Sequence, residues 1–180
     1  MSVVPEEVQA LLDKQSIREQ IVRLARGEDR RDAVAITASF WKDATTDFGI
    51  FSGSFDDYLN WVVPGSPAVI LTQHMLGQTL VELDGDIGLA ETYVDAYHRV
   101  DMGEGERDIS LGGRYLDRFE RRDGQWRIAK RTMLYDWVRE GGDAADWSKG
   151  ILGAELTGRR YIGRTSGDHS ATFFGTRASS

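Results

Sequence analysis

The chain of 180 residues is 41% hydrophobic and 28% charged, which suits one globular domain with a sizeable core rather than two independent ones. A formal net charge of −7, without any long Lys/Arg run, argues against nucleic acid or an anionic membrane as partner and favours a neutral or apolar small ligand. Cysteine is absent, so disulfides, thiolate metal sites and a cysteine nucleophile are excluded.

The opening MSVVPEEVQALLDKQ lacks a basic segment followed by an apolar one, and no window approaches the roughly 18 apolar residues of a membrane span. A cytoplasmic location is predicted. From Pro5 to about Arg26, Val8, Leu11, Leu12, Ile17, Ile21, Val22 and Leu24 recur at spacings of three and four, with Pro5 as a starting residue and Gly27 as a stop. That pattern predicts a helix with one buried face. RRDAVAITASFW (30 to 41) is read as a second helix, although the alternation of Val34, Ile36, Ala38 and Phe40 also suits a strand. A short strand is predicted from Thr45 to Ile50, then a turn at Ser52 and Gly53, then a third helix capped by Ser54 with Asp56 and Asp57 in its first turn. The VPGSP stretch ends it, because proline cannot continue the hydrogen-bond ladder.

Beyond Pro67 the period changes. Four long β-like runs, AVILTQHMLGQTLVEL, IGLAETYVDAYHRVDM, RDISLGGRYLDRFERR and QWRIAKRTMLYDWVRE, are separated by turn residues and imply successive hairpins. In the third run Leu111, Gly113, Tyr115, Asp117 and Phe119 share one face; in the fourth, strict alternation sets Trp126, Ile128 and Lys130 against Arg127, Ala129 and Arg131. Gly77, Gly112 and Gly113 within strands predict bulges or sharp bends. The fold class is therefore α+β: three N-terminal helices against a strongly curved, mainly antiparallel sheet that encloses a pocket. The predicted division is a cone domain over 1–140 and a glycine-rich tail over 141–180, docked on the body or on a neighbouring subunit.

His74 interrupts the apolar run ILTQHMLGQTLVEL, and the acidic cluster GEDRRD, with Glu28, Asp29 and Asp32, follows the predicted first helix. An imidazole titrating near ~6.5 is a useful base at neutral pH, and a carboxylate on its other nitrogen fixes the tautomer and stabilises the charged form. A helix end meeting the sheet mouth would bring Asp29 to His74. Sequence alone leaves this reading beside a plainer one, in which His74 is a packed or solvated strand residue and Asp29 a loop or cap residue. His98, between Tyr97 and Arg99, is expected to face solvent and is the rival base.

The segments IREQIVRLARGEDRRDAVAITASFWKDATTDF and GGRYLDRFERRDGQWRIAKRTMLYDW, together with the histidine-bearing strand, resemble the SnoaL-like branch of the nuclear-transport-factor-two-like superfamily over roughly residues 8 to 139. The resemblance implies a cone-shaped α+β barrel. Within the branch it extends to lyases, the hexachlorocyclohexane dehydrochlorinases, scytalone dehydratases and bile acid 7α-dehydratases. It implies that Asp29 orients His74 for proton removal and that Arg131 assists the leaving group. The lysine that the dehydrochlorinases place five residues before the aspartate is replaced here by Leu24, which leaves substrate and leaving group open.

Trp41, Phe48 and Trp61 are candidate apolar walls, Tyr97, Tyr115 and Tyr135 candidate hydrogen-bond donors to a ligand, and Asp136 a further lining residue; each also has a plain packing or turn-capping explanation. Arg131 acts as a charge clamp only if it lies on the concave face. The histidines and aspartates form no spaced metal motif, and no phosphate loop or dinucleotide fingerprint is present, so no metal and no cofactor is predicted. The expectation is a cofactor-independent lyase of dehydratase or dehydrohalogenase type acting on a bulky apolar small molecule, and a homo-oligomer, trimer favoured over dimer. An isomerase or cyclase using the same dyad, or a non-catalytic binding or assembly module, is the alternative.

Overall fold

The computed structural model describes residues 5–155 together with Asp168, Ser170 and Phe173. Helix α1 (Glu6–Arg30) starts behind Pro5 with Glu6 and Glu7 in its first turn, where carboxylates oppose the positive end of the helix dipole. It does not stop at Gly27. The chain stays helical to Arg30 and ends at Arg31 in the left-handed conformation, φ 53°. Gly27 serves contact instead: a Cβ there would stand 3.1 Å from Ala35 Cβ and 3.2 Å from Ile36 Cγ1, so its absence lets helix α2 (Ala33–Ser39) pack close. Asp32 caps α2 by accepting from the backbone N–H of Val34 and Ala35.

The second helix is shorter than the sequence suggests. Phe40 and Trp41 already belong to strand β1 (Phe40–Asp47), which buries Phe40, Ala44 and Thr46, so the alternating reading of this stretch applies to its last residues. Ser52 and Gly53, expected as a turn, form with Ser54 a short strand β2 (Ser52–Ser54) paired with the end of β1. Helix α3 (Phe55–Val62) follows with a capping box, in which Asp57 N–H donates to Ser54 Oγ and Ser54 N–H donates to the Asp57 carboxylate.

Four long strands complete the sheet: β3 (Val69–Asp84), β4 (Ile87–Asp101), β5 (Glu106–Arg122) and β6 (Gln125–Asp143). The order is β2-β1-β6-β5-β4-β3, antiparallel except for the parallel β1–β6 pair. Register shifts fall beside Gly77 and between Gly112 and Gly113, the bends expected of glycines inside strands. A third shift lies opposite Arg118 and Phe119, where Ala129 of β6 is left without a partner. It reverses the phase of β6: Trp126 and Ile128 point inward before it, Arg131 and Met133 after it. Strict alternation, which set Arg131 on the face opposite Trp126, fails here because a bulge inserts one unpaired residue.

The core lies between α1 and the concave face of the sheet. Ile17, Ile21 and Leu24, spaced by four and three, are at most 1% exposed and belong to one cluster with Val81, Ala90, Phe119 and Ile128. Each such side chain contributes about 1.5–3 kcal/mol through burial. Gly88 admits the helix: a Cβ there would meet Ile17 Cδ1 at 2.5 Å. β6 runs on to Asp143, past the predicted end of the cone at 140, and Ala144 N–H still donates to Glu106 O. Two described residues of the tail touch α1, with Arg26 donating to Ser170 Oγ at 3.1 Å and Arg30 paired with Asp168. Trp147 lies in a short 3-10 turn, Trp147–Lys149; most of the tail beyond it falls outside the described residues.

Candidate functional site

Because α1 continues through Gly27, the neighbouring acids Glu28 and Asp29 lie in its last turn rather than in a loop, and both are carried by helical backbone. Arg31 fixes this turn against the sheet, donating to Ser66 O at 3.1 Å and to Val69 O at 2.7 Å. The start of β3 is thereby drawn to the end of α1. Asp29 Oδ1 accepts from the backbone N–H of His74 at 3.0 Å and sits 2.7 Å from its Nδ1. Both side chains are mostly buried, 12% exposed for His74 and 14% for Asp29. A carboxylate at Nδ1 holds the proton there and leaves Nε2 as the basic nitrogen. Burial pushes the His74 imidazole down, but the Asp29 hydrogen bond and the charges of Glu28 and Asp29 outweigh it, and the net shift is upward from 6.5.

His74 lines a cavity of about 170 Å³ between the end of α1, α3 and the concave face of β3–β5. Phe48, Tyr58, Trp61 and Tyr115 form its aromatic wall, in which Phe48 and Tyr58 stack at 5.5 Å and the Tyr115 edge meets Phe48 at 6.4 Å. Val62 and Val69 add aliphatic surface. The polar lining is Glu28, Arg31, Thr72, His74 and His98. His98 does not face solvent: it pairs across the sheet with Thr72, points inward with it, and its ring centroid is 6.1 Å from that of His74. Burial and the nearby His74 lower its imidazole to about 4, so it is neutral at physiological pH.

Arg131 is inside the cone but behind the cavity wall. It is 1% exposed, its Nε and Nη2 donate to the two Asp117 oxygens at 2.7 and 2.8 Å, and its guanidinium stacks 4.0 Å from the Tyr115 ring centre. A 3.6 Å ion pair joins it to Glu28 Oε1, which also accepts the Tyr58 hydroxyl. Glu28, Tyr58, Arg131 and Asp117 thus form one buried chain ending at the cavity. Arg131 is not among the residues that line the cavity, and its guanidinium faces Asp117, Glu28 and Tyr115.

Of the other candidate residues, Phe48, Trp61 and Tyr115 line the cavity, whereas Trp41, Tyr97, Tyr135 and Asp136 do not. Trp41 donates to Glu120 O at 3.0 Å and lies between the guanidinium groups of Arg122 and Arg127. Tyr97 faces away from His98 by strand alternation, and its hydroxyl donates to Asp108 at 2.7 Å. Asp136 accepts from Arg114 on the outer face, and Tyr135, on the inner-face phase of Met133, is 41% exposed beyond the lining residues. Glu28 stands in the acidic cluster of the sequence analysis without a role of its own, and Tyr58 and Thr72 are not singled out by the sequence. Thr72 was within reach, since it shares the strand face of His74 two residues away; Tyr58 lies one helical turn from Trp61. Among the described residues no group of three His, Asp or Glu side chains stands close enough to hold a metal ion.

A strongly curved sheet closed by helices over a largely apolar cavity, with an acid-paired histidine in its wall, defines a cone-shaped α+β protein. Residues 9–132 match the SnoaL-like domain family, and the chain belongs to that family. Its fold is shared with a type 2 hexachlorocyclohexane dehydrochlorinase (LinA), TM-score 0.71 at 20% identity, over 78% of this chain and 98% of that one. A type 3 LinA from Novosphingobium barchaimii gives 0.69 at 18% identity, over 86% and 100% of the two chains. A candidate scytalone dehydratase from Novosphingobium aromaticivorans gives 0.64 at 18% identity, over 84% and 97%. No curated protein matches the chain significantly.

Proposed function

We propose that this chain is a cofactor-independent lyase that uses His74, oriented by Asp29, as general base on a small, largely apolar ring compound. The observation that carries this reading is the 2.7 Å contact between Asp29 and His74 in the wall of a mostly aromatic cavity. His74 Nε2 takes a proton from a carbon next to an activating or leaving-group-bearing centre, the C–H electron pair becomes the new double bond, and the bond to the leaving group breaks. Asp29 stabilises the imidazolium that results. In a cavity poor in water such fixed charges count for more than in solvent, and general base catalysis contributes roughly 10²- to 10⁴-fold. Arg131 acts one layer back, a positioning residue that holds Glu28 and the face of Tyr115. That dehydrochlorinases and a candidate dehydratase share the fold is consistent with an elimination.

A second reading uses the same dyad: the imidazolium of His74, held charged by Asp29, hands its proton back at another carbon and gives a double-bond shift, so product analysis must distinguish an alkene with loss of water or halide from an isomer of unchanged mass. The experiment is turnover of a panel of cyclic alcohols and halides by wild type, Asp29→Asn and His74→Ala. Each variant is expected to lose 10²- to 10⁴-fold in kcat/KM while remaining folded. Equal activity in the variants would remove the dyad from the mechanism.

The reading extends to assembly and location. Met75, Leu80, Leu89 and Tyr93 are more than half exposed on the outer face of β3 and β4, and association of copies through this face, as a trimer in preference to a dimer, would cover them. Light scattering on the purified chain reads the mass. We place the activity in the cytoplasm; among the described residues no helix is long and apolar enough to cross a membrane.

A further inference from the structure

Glu28 has no part in the base dyad, yet it is the acidic group most completely committed to the cavity. It is 6% exposed, lines the cavity, and divides its two oxygens sharply: Oε1 accepts from the Tyr58 hydroxyl and faces Arg131 at 3.6 Å, while no protein group among the described residues bonds Oε2. The same holds for two more buried lining atoms, Thr72 Oγ1 and His98 Nδ1. Buried polar atoms are ordinarily hydrogen-bonded, because an unmet acceptor loses its hydration without return. Three of them around one small cavity mark where a ligand presents polar groups.

We propose that Glu28 is the specificity-determining residue of this cavity: its Oε2 accepts a hydrogen bond from a ligand hydroxyl, so that the site takes a small cyclic alcohol in preference to the equivalent halide. The inference rests on the reading of the cavity as a substrate site. A carbon–halogen bond carries no donor for Oε2, whereas a hydroxyl donates to a carboxylate and can also accept from Thr72. The ligand is neutral rather than cationic, because Arg131 already stands as the counter-charge 3.6 Å from Glu28 Oε1. The pairing of Oε1 with Tyr58 and Arg131 leaves Oε2 as the buried oxygen without a protein partner among the described residues.

The test is a set of NMR titrations of the full chain with cyclohexanol, chlorocyclohexane and cyclohexylamine, which reads binding without turnover. Cyclohexanol should bind the wild type at least tenfold more tightly than either of the others. Glu28→Gln should reduce that preference at least fivefold and leave chlorocyclohexane within twofold. Glu28→Asp, which keeps the charge beside Arg131 but withdraws the oxygen, should do the same and serves if the glutamine variant does not fold. His74→Ala should keep the alcohol preference, so failure of the base dyad and failure of this inference are separate results. Equal affinity for alcohol and halide, tightest binding of the amine, no binding of any probe, or a preference untouched by both Glu28 variants would overturn it.

Discussion

The aspartate that closes on His74 holds two of its groups with one oxygen, accepting from its backbone N–H and contacting its ring at Nδ1. The arrangement ties the ring orientation to the strand itself. Its consequence for pH is definite. The His74 pKa lies above 6.5 in the folded protein, and only the neutral ring is a base, so kcat/KM should rise with pH along a limb above 6.5. Asp29→Asn removes the charge that opposes burial and weakens the hydrogen bond, and should move that limb to lower pH while cutting its plateau; a pH–rate profile reads both. Arg131 belongs to a different category. Buried with a bidentate carboxylate, it leaves Asp117 and Glu28 as uncompensated charges if replaced, and Arg131→Met should destabilise the fold by about 3–5 kcal/mol in urea unfolding. Asp29→Asn, at a partly exposed pair, should cost far less stability than it costs turnover.

At the scale of elements, the cavity depends on how two bends and one close approach shape the sheet. A Cβ on Gly113 would stand 1.9 Å from Leu134 O across the β5–β6 pair, which no side-chain adjustment relieves. Gly113→Ala should therefore cost at least about 2 kcal/mol and disturb Tyr115 two residues on, measurable as a lower midpoint in thermal or urea unfolding. Much of this framework was legible in the sequence. The long hairpin strands announce themselves by alternation and by turn residues, and Ser54 with Asp57 marks the start of α3. The stretch around Phe40 was ambiguous because seven residues of helix run directly into strand without a breaker. Gly27 misled because a glycine chosen for close packing and one chosen to end a helix look alike in one dimension. The bulge at Ala129 left no signal, and with it went the side on which Arg131 stands.

The same limit governs the site. Asp29 and His74 are 45 residues apart, so the residue types and the predicted helix end suggest their pairing only beside a plainer reading, and the resemblance strengthens it; Phe48, Trp61 and Tyr115 line the cavity wall, while Trp41, Tyr97 and Asp136 serve ion-pair and hydrogen-bond networks outside it. His98 was read as exposed because its neighbours Tyr97 and Arg99 are polar, yet those two face Asp108 on the other side of the sheet.

For the whole molecule, the inward His98 sets an acid limit. Its folded-state value of about 4 lies below the ordinary 6.5, so the unfolded chain takes up the proton first as pH falls. Stability from this group is complete above 6.5 and is lost between 6.5 and about 4, on the order of 3 kcal/mol. His74 acts in the opposite sense: its raised value adds stability as pH falls through its folded pKa, is complete below 6.5, and does not change further across the window in which His98 costs stability. Urea midpoints for wild type and His98→Phe should diverge in acid and converge at neutral pH.

The central claim is that Asp29 prepares His74 as a base, and the most direct measurement of it needs no substrate. The chain has three histidines, and long-range proton–nitrogen NMR reports tautomer and titration for each. The account predicts that His74 carries its proton on Nδ1, titrates above 6.5, and falls in Asp29→Asn, while His98 remains neutral until close to pH 4. A His74 that titrates at or below 6.5, or that does not respond to Asp29→Asn, would contradict it.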